Sequence, residues 1–133
     1  MANEAILRNR GTALPKDFIV ADGTGIEKGT LLELTDPRTA AANNGSGDII
    51  AGIAAREKVA NDGRTRLAVF EPGCGAIFDM TVGAVGVTLG TWVSSEGANT
   101  IKDATEAEIA AGKAIGRALE TGAAAEVVQV ALN

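Results

Sequence analysis

The sequence predicts a mainly β fold: a small β-barrel or β-sandwich, the β-clip among the forms it allows, built from two related halves with one short helix near residues 104–111. Three observations predict it. Short apolar runs recur between Gly, Pro, Asn and Asp turn signals along the chain. Blocks of the first half return in order in the second. Ile26-Glu27-Lys28-Gly29-Thr30-Leu31-Leu32 aligns with Val87-Thr88-Leu89-Gly90-Thr91-Trp92-Val93, and Gly52-Ile53-Ala54-Ala55-Arg56-Glu57 aligns with Gly116-Arg117-Ala118-Leu119-Glu120-Thr121. Only one stretch combines a cap signal with sustained helix propensity.

Residues 1–16 read as an N-terminal arm, with one apolar patch at Ala5-Ile6-Leu7, closed by Gly11 and Pro15. Such a leader is loose unless a partner orders it. Residues 17–133 read as one β-rich domain with halves of about 17–80 and 81–133. Phe18-Ile19-Val20 is a short strand, Asp22-Gly23-Thr24-Gly25 a turn, and residues 30–34 a leucine-rich strand. Asp36-Pro37 has the chemistry to cap and start a single helical turn, which Asn43-Asn44-Gly45 then breaks. The polar stretch 36–47 is a candidate contact loop, carrying Arg38, Asn43 and Asn44. Residues 49–55 form an apolar strand in which Gly52 marks a bulge or a close backbone approach. Asn61-Asp62-Gly63 is a turn. In residues 64–70, Thr65, Leu67 and Val69 share one face. Residues 76–80 form the next strand.

Asp103, with Glu106 three residues on, forms a capping-box pattern. Residues 104–111 favour helix, and Gly112 stops it. Residues 114–119 and 127–132 supply the closing strands. The repeat aligns Trp92, the sole tryptophan, with Leu31. That alignment places it in the core, with an interface anchor as the other role open to it.

Composition removes several function classes. With 133 residues the chain fits one domain. Its net charge of −5 and few aromatics argue against nucleic-acid binding. There is no histidine and one cysteine, so no Cys/His metal site and no internal disulfide is expected. No cofactor is implied. The opening residues lack the apolar h-region of a secretory signal, and no apolar run is long enough to span a bilayer.

Cys74 sits in Glu71-Pro72-Gly73-Cys74-Gly75. A catalytic thiolate needs a base or a cation beside it, whereas Glu71 and Asp79 are its nearest charges in sequence. Pro and Gly make this stretch a turn between two strands. Asp22, Glu33, Asp48, Glu57, Glu71 and Asp79 are the carboxylates open to an enzymatic reading, with solvated surface as their default. Lys28, in a Gly-containing bend, is the lysine a carrier module would use.

The segments "KGTLLELTDP", "DIIAGIAAREKVANDGRTRLAVFEPGCGAIFDM", "GTWVSSEGANTI" and "GKAIGRALETGAAAEVVQVAL" together resemble the small capsid decoration (cement, head-stabilising) proteins of tailed phages and related viruses. The resemblance runs from about Ile26 onward and is one of glycines and hydrophobics, with no chemical motif. It implies a non-enzymatic protein, made in the host cytoplasm, that binds the outer surface of the capsid as a homotrimer. Its partner would be the major capsid protein, with no nucleic acid and no membrane involved. It also implies an arm ordered on the shell, here Asn3, Ala5, Ile6, Leu7, Arg8 and Arg10. A tail or fibre component of the virion is the alternative within the same class.

Overall fold

The computed structural model describes residues 2–133; Met1, the first residue of the expected arm, lies outside the described residues. In chain order the elements are β1 (Ile6–Asn9), β2 (Lys16–Ile19), β3 (Leu31–Asp36), β4 (Thr39–Ala42), β5 (Ile50–Ala54) and β6 (Arg66–Phe70), followed by β7 (Ile77–Val82), β8 (Trp92–Gly97), β9 (Thr100–Asp103), α1 (Glu106–Ala110), β10 (Gly116–Ala118) and β11 (Val127–Ala131). The fold is mainly β with one short helix among the described residues, as the turn spacing predicts.

Strands β2-β4-β3-β5-β6 form a closed barrel. The same connectivity follows in β7-β9-β8-β10-β11. Phe18↔Leu67 in the first set matches Met80↔Val128 in the second, and Ala54↔Val69 matches Ala118↔Val130. Even the parallel contact recurs, Ile19↔Thr39 against Thr81↔Thr100. Closure removes the exposed edges that open sheets must otherwise protect.

Alternation fills each interior. Phe18, Val20, Leu32, Ala54, Leu67 and Val69 point into the first barrel. Met80, Val82, Val93, Ala118, Val128 and Val130 hold the corresponding places in the second. The repeated glycine has a steric cause. A Cβ on Gly52 would lie 2.1 Å from the Phe70 carbonyl oxygen, and one on Gly116 would lie 2.1 Å from that of Ala131. Only glycine lets these strands approach so closely.

Three expectations are corrected. Asp36-Pro37 starts no helical turn. Asp36 ends β3, Arg38 turns the chain at φ 49°, and Leu34↔Ala40 pairing makes a β-hairpin. A lone helical turn gains one hydrogen bond for several fixed dihedrals, whereas the hairpin gains a whole ladder. The helix cap lies two residues later than expected. Thr105 is the N-cap and Glu108 completes the capping box, because Asp103 is already held in β9 opposite Val93. Trp92 is not in the core: its side of β8 faces outward and the residue is 36% exposed. Its neighbour Val93 takes the interior place.

Candidate binding surface

The arm is a strand within this chain. β1 pairs antiparallel with β7, Ile6 opposite Asp79 and Leu7 opposite Phe78, and forms one margin of the second sheet. Two contacts seat its entry. The Ala5 N–H donates to the Gly29 carbonyl at 2.8 Å. Asn99, at φ 57° in the β8–β9 turn, accepts from the Leu31 N–H at 2.8 Å and donates to the Ala2 carbonyl at 2.9 Å. Asn tolerates that left-handed backbone, and its amide satisfies both sides at once. Sequence reasoning did not single out Asn99; its signal was the turn position it shares with Arg38.

Of the arm residues, Asn3 is exposed, Ala5 is buried, and Ile6 is 61% exposed on the outward face. Leu7 is half-buried and lines a cavity of about 210 Å³ with Arg10, Lys28, Arg56, Phe70 and Phe78. Arg8 lies 3.6 Å from Asp79. Arg10 is exposed at the rim of the cavity. The arm therefore presents Ile6, Arg8 and Arg10 outward and spends Ala5 and Leu7 on its own fold.

The loop candidates lie apart from the arm residues in character. Arg38 is exposed, yet its guanidinium donates to the Asp17 carbonyl and stacks 5.4 Å from the Phe18 ring centroid. Asn43 is fully buried; its amide donates to the carbonyls of Gly45 at 3.1 Å and Gly97 at 3.3 Å, joining the two halves. Asn44 alone of the three is exposed without such a tie. The stretch after it is fastened to β8 by the Gly47 and Asp48 N–H groups, which donate to the Ser95 carbonyl and hydroxyl.

Several charged groups with shifted values serve the fold. Burial pulls the Lys58 amine down, but Asp62 and Asp22 outweigh it and hold it above the ordinary lysine value. Its Nζ reaches Asp62 Oδ1 at 2.7 Å and Asp22 Oδ1 at 3.0 Å. Hydrogen bonding from Lys58 and from the Arg64 N–H keeps Asp62 below the usual carboxylate range. Asp103 and Glu108 are also held low. Burial pushes each up, and Thr91 and Thr88 on Asp103, and Thr105, Lys102 and Ser94 on Glu108, more than offset it.

Among the described residues no three His, Cys, Asp or Glu side chains converge in a way that would hold a metal ion. Asp22 is tied to Lys58, Glu71 to Lys16 at 3.4 Å and Asp79 to Arg8. Cys74 is half-buried, and its N–H donates to the Glu71 carbonyl in the bend from β6 to β7. It is the turn the sequence indicates, and it carries the chain from one barrel to the other.

The fold thus defines a class: a tandem of two small β-barrels sharing one connectivity, strapped by an N-terminal strand. Among solved structures, the chain is similar to the head fibre gp8.5 N base of bacteriophage phi29. The TM-score is 0.54 at 11% identity, over 89% of this chain and 92% of that one. At that identity the likeness shows a shared fold. No family model and no curated protein matches the chain.

Proposed function

We propose that the protein is a non-enzymatic structural component of a phage virion, bound to the outer surface of the capsid as a homotrimer and reinforcing the shell. The observation that carries this reading is the likeness to a phage head fibre base across nearly the whole of both chains. The resemblance read from the glycine and hydrophobic pattern points the same way. The major capsid protein is the proposed partner. The proposed contact residues are the outward side chains of the arm, Asn3, Ile6, Arg8 and Arg10, together with Asn44 and Arg38 of the loop stretch. β1 pairs with β7 along one edge; among the described residues its other edge has no strand partner and suits addition of an extended segment of the shell, with main-chain hydrogen bonds giving affinity and Ile6 an apolar contact. Several such contacts per oligomer would add avidity on the order of 10² or more.

The test mixes purified protein with undecorated heads and sediments them. The protein is expected in the pellet; retention in the supernatant would overturn the reading. The triple substitution Ile6→Asp, Arg8→Glu, Arg10→Glu is expected to weaken retention by at least about tenfold. Particles lacking the protein are expected to rupture sooner on heating, and equal survival would remove the reinforcing role.

A second reading is favoured by the neighbour's being the base of a fibre: the chain is a base that carries a projecting element, not a cement. Labelled protein spread over the head, with shell survival unaffected by its loss, would decide for it.

A further inference from the structure

The two halves share a connectivity but differ in what covers them. Across the first barrel, Leu31 pairs with Ile53 and Ile53 with Phe70. These three point away from that barrel's interior, yet they are 1%, 0% and 6% exposed. The second half covers them: they cluster with Phe78, Ala76 and Leu132, and the Phe70 and Phe78 rings meet edge-on at 5.6 Å. In the second barrel the same pairings give the row Trp92, Arg117 and Ala131. Here Trp92 and Arg117 stay open to solvent, with the guanidinium 6.0 Å from the indole centroid.

The covering end is repeated as well. Phe78 sits opposite Val130 as Lys16 sits opposite Val69, and Leu132 follows β11 as Glu71 follows β6. In the first half this end is uncovered: Leu14 is 70% exposed, and Lys16 and Glu71 pair with each other near the surface. One chain therefore carries a socket and plug joined internally, and a second pair left open: the Trp92–Arg117 row and the Leu14, Lys16 and Glu71 group.

We propose that the open row of one copy, Trp92 and Arg117, receives Leu14, Lys16 and Glu71 of a second copy, in the head-to-tail sense in which the first half already receives the second. The occupant follows from continuity with the internal interface, and from charge: Arg117 faces Glu71 of the incoming copy while Leu14 lies on the indole. The interface joins two different patches, so it repeats until rotation closes a ring. The proposal rests on the oligomeric part of the function above and is independent of the shell.

The test measures the size of the purified chain by sedimentation and light scattering across a concentration series. The unaltered chain is expected to associate, with the sole tryptophan's emission moving to the blue as it is covered. Trp92→Glu, Arg117→Glu and Glu71→Arg are each expected to weaken association by at least about tenfold. Each substitution lies outside both barrel interiors, and unchanged thermal melts check that the fold survives. The double variant Arg117→Glu, Glu71→Arg is expected to recover association, since every junction then meets with swapped charge. A chain that stays monomeric throughout overturns the proposal. So does an oligomer indifferent to Trp92→Glu and Arg117→Glu, or a double variant no better than the singles. Failure to bind heads would leave these outcomes untouched.

Discussion

At the residue scale, a few side chains are overdetermined by their neighbours. Asn99 joins the arm to the first barrel through two hydrogen bonds in a buried turn. Asn99→Ala leaves a buried N–H and a carbonyl without partners, and is expected to cost about 2–4 kcal/mol in chemical denaturation. Gly116→Ala forces a Cβ onto the Ala131 carbonyl and is expected to cost about 1–3 kcal/mol, with Gly52→Ala at least as harmful.

The pH response follows from the same residues. Asp62, Asp103 and Glu108 have lowered folded values. Each therefore contributes stability that is present above the ordinary carboxylate value and lost as pH falls through the folded one. Lys58 is raised, so its contribution is present below the ordinary lysine value and lost as pH climbs through its folded value. Melting temperature is expected to hold through neutral pH and to fall at both extremes. Asp103→Asn is expected to shrink the acid loss, as read from parallel melts at neutral and acid pH. Gly52 as a close-approach site was legible in the sequence, because an isolated glycine within an apolar strand has few other reasons to be there. Asn99 was not, because its role depends on two segments distant in sequence.

At the scale of elements, the hairpin, the helix and the arm differ in how far local signals govern them. The capping box on α1 satisfies two orphan N–H groups, and Glu108 also accepts a hydrogen bond from the Ser94 hydroxyl and pairs with Lys102 at 3.1 Å. Glu108→Ala is expected to cost about 1–2 kcal/mol and to fray α1, read as faster amide exchange over Glu106–Ala110. The helix itself was legible from propensity, but its start was read two residues early. Asp103 and Thr105 both suit a cap, and what separates them is the ladder that occupies Asp103. The Asp36-Pro37 signal failed for the same reason: β4 offers β3 a partner, and capping chemistry has no means of announcing that. β2, β3, β5, β6, β7, β10 and β11 were legible as short apolar runs between turn signals, whereas β4 lies in a stretch that reads as a polar loop and β9 carries no strand signal of its own. The arm's partner was illegible, since four residues of extended chain fit any open edge.

For the whole molecule, duplication was the most informative feature of the sequence. The aligned bends before Leu31 and Trp92 and the aligned glycines at 52 and 116 mark structurally equivalent places. Equivalence of position is not equivalence of environment, however. Trp92 occupies the place of Leu31, and that alignment alone places it in the core. Leu31 is covered because the second barrel lies over it, whereas Trp92 stays 36% exposed. Binding to heads and self-association are the expectations at this scale, and the sedimentation measurements described above separate them.

The strap made by β1 has a consequence for the order in which the chain is completed. Residues 6–9 are made before the whole first barrel, yet their partner is β7, made after it. The arm must wait through that interval as an unpaired strand, and every encounter it makes before β7 emerges is with something else. In refolding, amides of Ile6–Asn9 should gain protection after those of the first barrel, although they precede it in the chain.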